Sequence, residues 1–69
     1  RAASQHEAAR LDRALSKLPE SYREVLILKD LEDFSFQEIA EITGSSVTGL
    51  KIRAVRARAA MRKQLGRAS

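Results

Sequence analysis

The chain has 69 residues and a formal net charge of +4, which is enough for one small domain that buries only roughly 60% of the surface of its unfolded chain. It contains no cysteine, which excludes a disulfide framework or a thiolate metal site and fits a reducing cytoplasm. No apolar run approaches the roughly 20 residues that span a bilayer, nothing resembles a signal peptide, and the start at Arg1 leads us to expect a piece of a longer protein.

The first half of the chain predicts two helices. Ser4 and Glu7 fit a capping box, and the apolar residues that follow recur at spacings of three and four, so a first helix is expected over about residues 5 to 17. Pro19 cannot continue that helix but suits the first turn of a second one, expected over about residues 19 to 31. This second helix is apolar around most of its circumference. Either the other helices surround it, or part of its surface docks another protein.

A third helix and a turn come next. Ser35 and Glu38 form a capping box, in which the hydroxyl and the carboxylate each accept a hydrogen bond from an otherwise unpaired backbone N–H. Phe34, just before the box, can act as a hydrophobic staple. Gly44 supplies the left-handed residue that ends many helices, so the chain is expected to turn there.

A long fourth helix completes the predicted fold. From Val47 nothing breaks the helical pattern until Gly66, and the tail over residues 66 to 69 is expected to fray. No strand-like alternation or internal repeat competes with this interpretation. The sequence therefore predicts an all-α fold: one domain over residues 1 to 69, with four helices, the last two forming a helix-turn-helix. That motif inserts one helix into the major groove of DNA.

The charges are separated along the chain. Residues 1 to 18 sum to +2, residues 19 to 46 to −5, and residues 47 to 69 to +7, with no acidic residue in the last segment. A chain of this kind presents one basic element to a polyanion and keeps the rest of the domain away from it. A solvated helix face is the alternative explanation of the basic run, but the turn just before it favours nucleic acid.

The fourth helix predicts two faces with different roles. At about 100° per residue, one face packs on the core and holds Val47, Leu50, Ala54, Ala57, Met61 and Leu65. The first turns of a recognition helix approach base edges, while residues further along and at the turn contact phosphates. We therefore assign to base contacts Lys51, Ile52, Val55 and Arg56. The candidates for phosphate contacts are Ser46, Thr48, Arg53, Arg58 and Arg62.

These residue types suit the edges of base pairs. Arginine and lysine donate hydrogen bonds to guanine O6 and N7, and an apolar side chain such as Ile52 or Val55 can contact a thymine methyl. For Arg58, which lies near the core edge of the helix, an intramolecular ion pair is an equal alternative to a phosphate contact. Gly49 is unusual inside a helix, and is explained either by close approach to DNA or by a weakened first turn.

Nothing in the sequence predicts an enzyme, a metal site or a cofactor. His6 is the single histidine, and no glycine-rich phosphate loop occurs. Glu38 and Glu41 lie one helical turn apart, but capping and solvation explain them better than acid–base chemistry. We therefore expect no catalytic residue, no small-molecule substrate and no membrane partner.

At these residues the sequence resembles a known family. The run from Leu18 to Leu65, LPESYREVLILKDLEDFSFQEIAEITGSSVTGLKIRAVRARAAMRKQL, is similar to region 4 of bacterial sigma factors, most closely the extracytoplasmic-function group. The most specific parts are LPESYREVLIL, FSFQEIAEITG and the following helix that ends in RAR.

The resemblance implies a function and partners. In the family this domain reads the minus-35 element of double-stranded promoter DNA while attached to RNA polymerase, in the bacterial cytoplasm, and anti-sigma factors commonly cover the same surfaces. The β-flap tip of the polymerase docks on the apolar surface of the first three helices. Here that implies a docking set made of Leu15, Leu18, Tyr22, Val25, Leu26, Ile27 and Leu28.

Two features depart from the family pattern, and two other functions compete. The usual Gly-Thr pair early in the recognition helix is reversed as Thr48-Gly49, and a frequent serine is replaced by Ile52. One alternative is the DNA-binding domain of a LuxR-type response regulator, which would self-associate and lack affinity for polymerase. The other is a sigma-like module that binds an anti-sigma factor without binding DNA, and the unopposed basic residues after Val47 argue against it.

Overall fold

Four helices follow one another in a computed structural model that describes residues 5 to 67. They are α1 (Gln5–Ser16), α2 (Glu20–Leu26), α3 (Phe36–Thr43) and α4 (Val47–Arg67). A π-helical turn, Ile27–Leu31, continues α2 without a break. This confirms the predicted all-α fold with four helices, whereas the capping box expected at Ser4 lies outside the described residues. No helix among residues 5 to 67 has the length and apolar character needed to cross a bilayer.

The end of the second helix differs from the prediction. We expected a single α-helix to residue 31, but from Ile27 the backbone forms a π-helical turn, in which hydrogen bonds span five residues instead of four. The amide of Glu32 donates to the carbonyl of Ile27 at 2.9 Å, five residues back. The amide of Phe34 then donates to the carbonyl of Leu28 at 2.9 Å. Asp33, with φ of 61°, is in the left-handed region and reverses the chain. These bonds satisfy carbonyls that an ordinary α-helical end would leave unpaired.

Helix α4 forms one side of the core from Leu50 to Met61. Its 21 residues span about 31 Å at 1.5 Å per residue, close to the 34 Å longest dimension of the domain. Leu50, Ala54 and Ala57 are at most 1% exposed, and the small alanine side chains allow the neighbouring helices to lie close. Val47, Met61 and Leu65 are half-buried on the same side. The predicted core face of the helix is thus confirmed.

Helix α2 is enclosed by the others. Val25 is 1% exposed and packs in one cluster with Ile39 of α3 and Leu50 of α4, both of which are also fully buried. Of the two explanations for the apolar α2, enclosure by the other helices therefore applies to its central residues. Filling this cluster is the main contribution of α2 to stability, since each fully buried aliphatic side chain contributes about 1.5 to 3 kcal/mol.

The predicted docking set needs correction for this reason. Leu15, Leu18, Val25 and Leu26 are between 1% and 9% exposed and belong to the core cluster, so they are not available on the surface. The other three members, Tyr22, Ile27 and Leu28, are half-buried and keep an accessible edge. The sequence could not separate these groups because a helix with apolar residues all round shows no preferred direction.

The C-terminal end of α4 is longer than expected. Gly66 and Arg67, which we assigned to a frayed tail, are helical, and the last two positions of the chain lie outside the described residues. The guanidinium of Arg10 on α1 donates to the carbonyl of Leu65 at 3.2 Å. This contact satisfies one of the last carbonyls of the helix and joins α1 to α4.

Candidate nucleic-acid interface

Helix α3 begins at a fully formed capping box. The amide of Glu38 donates to Ser35 Oγ at 3.0 Å, and the amide of Ser35 donates to Glu38 Oε1 at 2.8 Å. Hydrogen bonds from Ser35 to the carboxylate, first of all from its amide, lower the pKa of the Glu38 carboxyl below its ordinary value. Phe34, beside the box, is half-buried against the core that includes Ile39. The start of the helix-turn-helix therefore follows the sequence prediction.

The turn between α3 and α4 is fixed by local hydrogen bonds. Gly44 has φ of 76°, and its amide donates to the carbonyl of Ala40 at 2.8 Å, which ends α3 as predicted. Thr43 Oγ1 donates to the carbonyl of Ile39 at 2.8 Å and accepts the amide of Ser45 at 3.3 Å. The side chain of Thr43 thus links the last turn of α3 to the chain beyond the glycine.

Ser46 caps helix α4, and this explains Gly49. The amide of Gly49 donates to Ser46 Oγ at 3.0 Å, and the amide of Leu50 donates to the carbonyl of Ser46 at 2.9 Å. A Cβ on residue 49 would lie 2.9 Å from the same Oγ, closer than side chains tolerate. The glycine makes room for the cap, which is a third explanation beside the two that the sequence suggested. Because Ser46 Oγ accepts this bond, its own hydrogen remains available to a phosphate.

The outward face of α4 is accessible. Lys51, Ile52, Val55 and Arg56, the residues assigned to base contacts, are all exposed. Ile52 and Val55 keep 49% and 66% of their surface in solvent, which is high for large apolar side chains. Of the remaining candidates for phosphate contacts, Ser46, Thr48 and Arg62 are exposed and Arg53 is half-buried. The structure therefore presents the base-contact set together, on the first turns of α4.

Arg58 takes the intramolecular alternative. Its guanidinium donates from Nη2 to Asp30 Oδ1 at 2.7 Å and from Nε to Asp30 Oδ2 at 3.0 Å, a bidentate ion pair between α4 and the π-helical turn. Both side chains are 40% exposed. The hydrogen bonds lower the pKa of Asp30 and raise the pKa of Arg58, so each group favours its charged form. Sequence reasoning did not identify Asp30 as the partner, because 28 residues separate it from Arg58.

A second accessible feature is an apolar cleft between α2, the π-helical turn and α3. Its apolar lining residues are Ile27, Leu28 and Ile42, and Ile42 is 58% exposed. The charged residues around it are Glu20, Arg23, Glu24 and Glu32. The sequence analysis did not single out Ile42. The sequence signal that could have identified Ile42 is an apolar residue outside the apolar stripe of α3, which is formed by Phe36, Ile39, Ala40 and Thr43.

Lys29, in the π-helical turn, contacts an aromatic ring of α3. Lys29 Nζ lies 5.0 Å from the centroid of the Phe36 ring, within the range of a cation–π interaction, and so connects the π-helical turn to the first residue of α3. Together with the Arg58–Asp30 pair, this contact means that two consecutive residues of the π-helical turn bind the two helices of the helix-turn-helix.

Comparison with known proteins gives a consistent result. The family model described as Sigma-70, region 4 matches residues 8–61. The chain is 46% identical over 55 residues to RNA polymerase sigma factor SigV of Bacillus subtilis, covering 80% of this chain and 33% of the relative. It is 42% identical over 55 residues to ECF RNA polymerase sigma factor SigW of the same organism, covering 80% of this chain and 29% of the relative. No solved structure is significantly similar to the chain.

The chain therefore spans about a third of the length of these curated relatives. The match to the family model includes all of α2 and α3, most of α1, and α4 as far as Met61. By this match and by its fold, the chain belongs to the sigma-70 region 4 family.

Proposed function

We propose that this chain recognises the minus-35 element of promoters as region 4 of an alternative sigma factor of the extracytoplasmic-function group, in the bacterial cytoplasm. The observation that carries the proposal is the outward face of α4, which follows a capped helix-turn-helix and combines exposed cations with exposed apolar side chains. The family match and the two sigma factor relatives support the same function.

The DNA contacts divide into two groups. Lys51, Ile52, Val55 and Arg56 contact base edges, because they lie on the first turns of the recognition helix and are exposed. Ser46, Thr48, Arg53 and Arg62 contact phosphates on either side of the groove. Arg58 is engaged with Asp30, so we assign it to the packing of α4 rather than to the phosphates.

RNA polymerase binds on a different side of the domain. The apolar residues that line the accessible cleft between α2, the π-helical turn and α3 are Ile27, Leu28 and Ile42, and these replace the buried members of the docking set. A helix of the polymerase β-flap tip that presents apolar side chains can fill this cleft in the manner of other helix-in-groove contacts. An anti-sigma factor that covers the same residues would exclude polymerase.

Two binding measurements test the proposed function. The chain should select a common duplex sequence from a randomised DNA pool, and a peptide of the β-flap tip should bind it in a titration by fluorescence anisotropy. Ile42→Asp should abolish peptide binding while leaving DNA selection intact, and Arg56→Ala should weaken DNA binding and relax its base preference while leaving peptide binding intact. If the chain binds DNA as a dimer and does not bind the peptide, it is a free-standing regulator. If it selects no DNA sequence, promoter recognition is contradicted.

A further inference from the structure

Two exposed apolar side chains lie on the most highly charged helix of the domain. Helix α4 contains seven lysine and arginine residues and no acidic residue, yet Ile52 and Val55 remain 49% and 66% exposed on it. They are three residues apart, so their Cβ atoms lie about 5 to 6 Å from each other and the two side chains form one patch. A single exposed aliphatic residue needs no explanation, but a paired patch on a surface built for a polyanion does.

The order of the side chains around the helix defines this patch further. At about 100° per residue, the outward positions among residues 51 to 56 follow each other as Lys51, Val55, Ile52 and Arg56, so within this stretch a cation borders the apolar pair on each side. Ile52 lies opposite the buried face formed by Leu50, Ala54 and Ala57, at the centre of the surface that would enter the groove. Two side chains are too few for a protein interface, which buries about 800 Å² on each partner.

We infer that Ile52 and Val55 read the methyl groups of two nearby thymines, an inference that rests on the proposed DNA-binding function of α4. The thymine C5-methyl is the apolar group that base pairs present in the major groove. Base pairs stack at about 3.4 Å, so side chains 5 to 6 Å apart reach methyls one or two steps from each other. Lys51 and Arg56 then donate to acceptors on the base pairs at either side.

The consequence is a specificity that depends on methyl groups. Ile52 has no hydrogen-bonding group, so it cannot distinguish bases by donors or acceptors. It gains affinity only where it removes apolar surface from water. Burying one methyl contributes about 0.8 kcal/mol, so each contacted thymine raises affinity about fourfold over the same duplex without that methyl.

Uracil substitution tests this directly, because deoxyuridine pairs with adenine as thymine does but lacks the methyl. The preferred duplex is first selected from a randomised pool with the unaltered chain, and each of its thymines is then replaced in turn by deoxyuridine. We expect the dissociation constant to rise about fourfold at two neighbouring positions and to stay constant elsewhere. Ile52→Ala should remove the sensitivity at one of these positions, and Val55→Ala at the other.

The controls separate this inference from the proposed function. Leu11→Ala, on a leucine that is 43% exposed on α1, should keep both uracil effects. Selective binding that is indifferent to every uracil substitution, and that still depends on Lys51 and Arg56, would overturn the methyl assignment while leaving promoter recognition in place. Failure to select any duplex would overturn both.

Discussion

The guanidinium of Arg58 and the carboxylate of Asp30 form two hydrogen bonds, of 2.7 and 3.0 Å, that join the recognition helix to the π-helical turn. This pair lies at the surface, with both side chains 40% exposed, so solvent screens it. The pair therefore contributes little free energy, but its bidentate geometry fixes the direction of both side chains.

Removing this pair should lower stability slightly and in a pH-dependent manner. Asp30→Asn is expected to cost about 0.5 to 1 kcal/mol of unfolding free energy at pH 7. Since the pKa of Asp30 is lowered in the folded state, the contribution is present above the unfolded value of about 3.9 and is lost as the pH falls through the folded-state pKa. Urea unfolding of both proteins at pH 7 and at pH 3 measures this difference.

The comparison between the two proteins isolates Asp30. Glu38 also has a lowered pKa and loses its contribution in acid, but it does so equally in both proteins. Arg58→Lys, which keeps the charge but not the bidentate geometry, should recover only part of the stability. Equal stabilities of the original chain and Asp30→Asn at both pH values would show that the pair contributes nothing.

The cap of α4 predicts a non-additive pair of substitutions. Ser46→Ala should cost about 1 kcal/mol by removing the acceptor for the Gly49 amide. Gly49→Ala should be close to neutral, because about 1 kcal/mol of gained helix propensity is offset when the new methyl displaces Ser46 Oγ. In the Ser46→Ala background the same Gly49→Ala change should stabilise by about 1 kcal/mol. Thermal unfolding of the four proteins gives the coupling energy, and additive effects would refute the explanation of Gly49.

The turn glycine and the last glycine of α4 should respond in opposite directions. Gly44→Ala forces a side chain into the left-handed region at φ of 76° and should destabilise by about 1 kcal/mol, or about 4 to 8 °C in Tm. Gly44→Asn should lose less, because asparagine tolerates this conformation. Gly66→Ala is the matched control: its Cβ would meet no atom within 4 Å, and alanine favours a helix, so Tm should rise.

Base and phosphate contacts should separate in DNA binding. Lys51→Ala and Arg56→Ala are each expected to cost about 1 to 3 kcal/mol on the preferred duplex and to relax base preference. Arg62→Ala should weaken all duplexes alike and reduce the slope of log K against log salt by about 1. Arg13→Ala removes the same charge from α1, outside the helix-turn-helix, and should change neither the base preference nor the salt slope. A preference profile that Arg56→Ala leaves unaltered would contradict the groove assignment.

The elements that could be predicted from the sequence are those with local causes. Ser35 with Glu38 forms its capping box through residues three apart, and Gly44 ends α3 through its own backbone conformation. The core face of α4 follows from its periodicity, since Leu50, Ala54 and Ala57 are buried where the 100° spacing places them. In each case the residues that determine the structure are neighbours along the chain.

The features that could not be predicted depend on distant residues. The π-helical turn has no marker in its own sequence, and its residue Asp30 pairs with Arg58, which is 28 positions away. Likewise, the burial of Val25 depends on which helices enclose α2. For this reason, the docking set predicted from the sequence included residues that belong to the core. Whether Arg58 bound phosphate or carboxylate depended on the position of a residue 28 places away.

The division of α4 into a buried and an outward face has an evolutionary consequence. Substitutions at exposed positions away from caps and networks usually change stability by less than about 0.5 kcal/mol. Lys51, Ile52, Val55 and Arg56, the base contacts that we propose, are all exposed, so replacing them should alter the DNA sequence that α4 recognises without disturbing the packing of the helix. After gene duplication, paralogues of such a domain can therefore diverge in the DNA sequence that they recognise through a few substitutions at exposed positions, while the buried core stays unchanged.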